Sequence, residues 1–362
     1  MIMMKTILSC GIVLMAFGAS HAQTTRQASS TAAELPAFVK DGRIGYVMTD
    51  RHWAVYQTED SKAECPLGFN DSPDDRFKQL YSDEGKKYTV VDTLLKREGE
   101  NWFPTNGPDS FAFKEAAGKI AIGMNLDGKA KDNDFTSPDG EQGIDNQLYR
   151  AIGCIQAYRV DGLDRVTINR SLLREPQDRI LIEISGVDSL SNDDDVAVRS
   201  YRGLDPLRQN ATGALPGGTQ HIDERWGKFT QTTWKGRIVN GVLLTEPADW
   251  TIPDTRNNDA TSSLTLKAYR FRLRLAPERA EGLMAGYVDI DEFVRHLNQV
   301  RSTFTQGVEH YAPSASFYRA MRRLADGYLD KTGEMTAVSS AFEVKFTQVY
   351  IVHPPAQAAA RH

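Results

Sequence analysis

The sequence predicts a mainly β fold, a two-sheet sandwich of the jelly-roll or lectin-like kind with two helices near the C-terminus. Three observations carry this expectation. Short β-branched runs bounded by turn residues recur along the chain, one long segment alternates strictly in hydropathy, and two late segments switch to helical spacing.

The runs are Ile44-Gly45-Tyr46-Val47-Met48, Ile180-Leu181-Ile182-Glu183-Ile184 and Val196-Ala197-Val198. Over 264–275, Tyr269, Phe271, Leu273 and Leu275 alternate with Arg270, Arg272 and Arg274, the period of a strand with one buried face. The arginines then form a cationic row, available for cross-strand charge pairing or for an anionic ligand. Phe342-Glu343-Val344-Lys345-Phe346 alternates in the same way. Helical spacing follows the acids of Asp289-Ile290-Asp291-Glu292 over 291–304, and returns over 315–330, where Phe317, Met321 and Leu324 share a face. Strands, then two helices, then a strand fit helices packed on a sandwich.

The N-terminus begins with one lysine, Lys5, continues through the apolar run Ile7–Phe17 and places Ser20 and Ala22 at the −3 and −1 positions of a cleavage site. Residues 1–22 therefore read as a secretory signal peptide, with lipidation at Cys10 as the rival. Residues 23–40 read as a flexible lead-in, 41–353 as a single globular domain and 354–362, from Pro354-Pro355, as a disordered tail. No later apolar run is long enough for a membrane span. The expected destination is the periplasm or the exterior.

The 362 residues carry a net charge of −5 at pH 7, and loss of Lys5 with the signal makes the remainder more acidic. That balance disfavours binding to nucleic acid or to an anionic membrane surface. Cys65 and Cys154 would remain after export, an even pair that reads as one disulfide, against two buried thiols.

Residues 125–146 concentrate six acids, Asp127, Asp132, Asp134, Asp139, Glu141 and Asp145, against Lys129 and Lys131, with Gly128, Pro138, Gly140 and Gly143 forcing turns. Crowded carboxylates repel unless a cation lies among them, and hard oxygen ligands on flexible loops favour Ca²⁺ over Mg²⁺. The expected ligands are Asp127, Asp132, Asp134, Asp139 and Asp145, with Asn125 and Asn146 as carbonyl donors. The spacing does not fit an EF-hand. The competing reading is a solvated turn whose Asp side chains satisfy their own backbone. Asp188 with Asp193-Asp194-Asp195 is a second, weaker acidic run at a hairpin tip.

The stretch Asp134-Phe135-Thr136-Ser137-Pro138-Asp139-Gly140-Glu141-Gln142-Gly143-Ile144-Asp145-Asn146-Gln147, with Cys154 after it and Cys65-Pro66-Leu67-Gly68-Phe69-Asn70 before it, resembles exported bacterial proteins of no assigned activity. The resemblance spans about residues 65–155. It implies an envelope or secreted setting and transfers no catalytic residue.

Familiar catalytic motifs are missing from the sequence, and its histidines are scattered without ligand spacing, which argues against zinc and haem. Glu183, Asp223, Glu224 and Glu246 are candidate carboxylates for a glycosidase-like hydrolase. Trp226, Trp234 and Trp250 are candidates for stacking on sugar faces, against a place in the core. The leading expectation is a noncatalytic, Ca²⁺-holding binder of a glycan or an envelope partner. A secreted hydrolase and a structural envelope protein are the alternatives.

Overall fold

The alternating hydropathy becomes eight antiparallel strands that close on themselves. In this computed structural model, residues 37–70, 95–98, 101–104, 113–253, 263–294 and 314–355 are described. The barrel strands are β1 (Arg43–Trp53), β2 (Ile180–Ser185), β3 (Asp193–Arg202), β4 (Thr233–Val239), β5 (Val242–Thr245), β6 (Ser263–Ala276), β7 (Arg279–Asp289) and β8 (Met335–Val352). Each pairs with the next in sequence order, and β8 returns to pair with β1, Tyr46 opposite Gln348 and Trp53 opposite Phe342.

This overturns the two-sheet sandwich. Alternating strands face a core identically in a sandwich and in a barrel, so hydropathy does not separate the two. The β1–β8 ladder does, because it leaves no break at which two sheets could part. Register shifts between Met48 and Asp50, Gly236 and Ile238, and Lys267 and Arg270 add the local bends that closure needs. Three further strands join the barrel sheet outside the ring: Gly218–His221 runs parallel to β8, Ala248–Pro253 pairs with β6, and Gly327–Leu329 pairs with β8.

Eight strands enclose a space that side chains can fill. Tyr46, Trp234, Tyr269, Phe271, Phe342 and Phe346 are all buried there. Their polar atoms are satisfied inside: Trp234 Nε1 donates to the Tyr269 carbonyl at 2.9 Å and the Tyr46 hydroxyl to the Ala276 carbonyl at 2.9 Å. At one end, Trp53 stacks on Phe342 with centroids 3.7 Å apart and meets Phe293 edge-on at 5.6 Å. Phe293 in turn packs on Phe317. The barrel is a packed core.

Between β1 and β2 the chain makes a long excursion over the outer surface. It carries α1 (Gln147–Ile152) and α2 (Leu163–Arg174). Met124 and Leu126 from this excursion lie on Ala285 and Ala341 of β7 and β8. A third helix, α3 (Ser314–Leu324), fulfils the second helical expectation, and the chain then turns to strand at Gly327–Leu329. Of the first, residues 290–294 are helical and 295–304 lie outside the described residues. So do the signal segment and most of the lead-in and tail. From Leu35 onward the chain is one compact unit.

Candidate binding cleft

The acidic loop turns where its glycines demand. At Gly143 the backbone takes φ +76°, and a Cβ would run into the Lys129 carbonyl and the Asn125 amide. Several of its side chains bond backbone groups of the loop. Asn125 Oδ1 accepts from Gly128 N–H at 2.7 Å, Asp127 Oδ1 from Lys129 N–H at 2.9 Å, and Asp134 Oδ2 from Lys131 N–H at 2.6 Å. Asp145 is buried and accepts from Leu126 N–H at 2.7 Å. Asn146 uses its amide as a donor to the carbonyls of Ala54 and Ile122. Asp132 offers its backbone carbonyl to Lys119 Nζ, and Asp139 is exposed at the tip.

Lys131 supplies positive charge among these acids. Its ammonium pairs with Asp127, which lowers the Asp127 pKa and raises that of Lys131, and the Asp134 and Asp145 charges reinforce the latter. Burial, then Asp134 and Asp127, push Asp145 upward, against the Leu126 N–H bond and Lys131. Among the described residues, no three His, Cys, Asp or Glu side chains converge as a metal-holding group. Arg272 ties the loop to the barrel through Glu141 Oε2 at 2.7 Å and the Gly123 carbonyl at 2.9 Å.

Cys65 and Cys154 form a disulfide, which points to an oxidising, extracytoplasmic compartment. Beside it, Arg159 and Glu64 make a buried ion pair at 2.8 Å, with Glu64 also accepting from Thr58 N–H and Oγ.

The three tryptophans do not form an exposed platform. Trp234 and Trp250 meet edge-to-face at 5.4 Å in the core, where the phase of β4 sets Trp234 opposite Val198. Trp226 is half-buried with the Arg202 guanidinium over its ring. The second acidic run is a hairpin tip: Asp193 accepts from the backbone of Asp188 and Asp195.

The candidate carboxylates are dispersed. Asp223 is held by Arg225, Glu224 is exposed, and Glu246 lines a shallow cleft of about 310 Å³ with Asp194, Asp195, Lys235 and Arg237. Glu183 belongs to a larger cleft of about 470 Å³.

That larger cleft lies on the outer face of the β1–β8 seam. β2 presents Glu183 directly across from Gly45 of β1, and Val349 of β8 flanks Gly45 on the other side. A Cβ at residue 45 would stand 2.7 Å from the Val349 carbonyl oxygen and 2.8 Å from Ile351 Cγ1, so glycine opens the floor. His353 Nε2 reaches both Glu183 oxygens, at 2.9 and 3.1 Å, and Arg43 approaches Glu183 at 3.6 Å. Phe38 and Tyr350 form an aromatic corner, 6.2 Å between centroids, with Lys40 Nζ 4.3 Å above the Tyr350 ring. Of these residues only Glu183 was singled out in the sequence. The others share no motif, because the seam brings residues 38–45 onto 349–353.

A second outer-face cluster lies where α2 covers β1. His52 Nδ1 is 2.8 Å from Asp50 and its Nε2 3.3 Å from Glu343, while Arg165 of α2 is 2.8 Å from Asp50. Burial opposes charge on His52, but Asp50 and Glu343 outweigh it and leave the ring above its ordinary pKa. Burial likewise opposes charge on Asp50, and bonds from His52 and Arg165 outweigh it, leaving Asp50 lowered.

Compared with known protein families, curated proteins and solved structures, the chain finds no match. Among the described residues, no helix is long and apolar enough to cross a membrane.

Proposed function

We propose that this chain is an exported, noncatalytic binding protein of the cell envelope or its surroundings, seating a carbohydrate in the Gly45 cleft. The observation that carries the reading is the makeup of that cleft. Two aromatic side chains adjoin a carboxylate held in place by a histidine and a guanidinium, over a floor left open by a glycine. Aromatic faces take up the apolar side of a sugar ring, and fixed polar groups read its hydroxyls. The packed barrel interior supports an outer-surface site. Both Glu183 oxygens are engaged by one histidine, which suits an orienting acceptor. The disulfide supports the extracytoplasmic setting.

A glycan array probed with the purified chain and with a Phe38→Ala/Tyr350→Ala double variant tests the proposal. Binding that the double variant loses is the expected result. An array without signal, or a signal indifferent to the two rings, would overturn it.

A further inference from the structure

Charge within the Gly45 cleft is unevenly exposed, and this narrows the ligand class; the inference rests on the carbohydrate reading above. The anionic group at the floor is enclosed and its charge is compensated where it lies. Glu183 has only 8% of its side chain exposed, with His353 on both oxygens and Arg43 within ion-pair reach. The cations lie at the mouth. Lys40 is exposed, its ammonium rests on the Tyr350 ring, and among the described residues no carboxylate stands within ion-pair distance of it. Arg43 keeps 53% of its side chain in solvent while its guanidinium leans over Glu183 and His353. Asp41 is the opposing acid on the rim.

A ligand entering this cleft therefore meets two cations and an aromatic corner before it meets the enclosed carboxylate. A guanidinium and an ammonium lining one cleft suit a carboxylate, bound through charge-assisted hydrogen bonds. We infer that the cleft selects saccharides bearing a carboxylate, of the uronic acid class: Lys40 and Arg43 take the acid group, Phe38 and Tyr350 the ring, and Glu183 with His353 a hydroxyl. Gly45 is the specificity device beneath them, since any side chain there fills the floor.

Titration calorimetry with paired probes tests this. Each uronate oligosaccharide in a panel is compared with its own methyl ester, which keeps the ring and removes the charge. The acid form should bind about tenfold tighter than its ester, the scale of one charge-assisted hydrogen bond. The preference should weaken as salt rises and vanish in Lys40→Ala, whose side chain takes no part in the core. Equal affinity for acid and ester, or a preference that survives both Lys40→Ala and Arg43→Ala, would overturn the inference and leave the carbohydrate reading standing. Competition by inorganic sulfate with no effect of Phe38→Ala would also overturn it, as an anion site without a sugar seat. No binding by any saccharide would remove both readings.

Discussion

Lys131 pairs its ammonium with the Asp127 carboxylate four residues back, inside a loop otherwise crowded with acids. A side-chain cation thus pairs with one of the carboxylates that the sequence expectation assigned to a metal ion. Lys131→Met should leave Asp127, Asp134 and Asp145 mutually repelling. The exposed pair itself is worth about 1 kcal/mol or less, so the melting temperature should fall by only a few degrees. Calcium should restore part of that loss in the variant and shift the parent chain little. Thermal melts of both proteins in calcium and in EDTA check this; a larger calcium shift in the parent chain would contradict it.

Asp326 sits behind the same loop, accepting from Ser339 N–H at 2.7 Å and paired with Ser339 Oγ at 2.6 Å. Burial pushes it up to about 6, the Ser339 bonds hold it back, and Asp145 adds to the rise. A carboxyl raised above its unfolded value binds more protons in the folded state. Its contribution is present at low pH and is lost as pH rises from about 4 through 6. The loss is on the order of 3 kcal/mol at most. Asp326→Asn should flatten this part of the stability profile, read from urea unfolding at steps of pH. An unchanged slope would speak against a raised Asp326.

His52 gives a second pH signature at higher pH. Its pKa lies above the ordinary value, so its stabilisation is complete below about 6.5 and is lost as pH rises through the raised value. Nuclear magnetic resonance titration of the ring should show the elevated midpoint, and Asp50→Asn should bring it down. A midpoint unmoved by that substitution would mean that Asp50 does not hold the charge.

Glu64 is the more severe target. Glu64→Gln leaves Arg159 buried without its counter-charge and should cost about 3–5 kcal/mol. Removing the adjacent Cys65–Cys154 link through a double alanine variant should cost about 4 kcal/mol, since the closed loop is long. Denaturant unfolding of each variant, with and without reductant, separates the two effects. A Glu64→Gln loss below about 1 kcal/mol would show that the pair is replaceable.

Much of the fold is legible in the residues. The runs at 44–48, 180–184, 196–198, 264–275 and 342–346 all fall within barrel strands, because alternation is a local property of the backbone. Closure is not local. It depends on β1 finding β8, a pairing between distant segments that no window of sequence contains. The same limit hid the cleft, whose walls come from 38–45, Glu183 and 349–353. In the acidic loop the turns were readable from glycine and proline, whereas the directions of Asp127 and Asp134 followed from backbone N–H groups two or three residues away, and that of Asp145 from the distant Leu126 N–H. For Trp234, strand phase decided between surface and core. The cysteine pair was legible by counting, since export would leave only two.

The seam between the first and last barrel strands has a consequence for biogenesis. Thr49 Oγ reaches the carbonyl of Lys345, 296 residues further on, so the ring cannot shut until β8 has been made. A growing polypeptide would stay open, with β1 and β7 lacking a neighbour, until β8 arrived to complete the circuit. The same strand carries Tyr350, with His353 just beyond its end, so the aromatic corner and the cleft around it come into being only with closure.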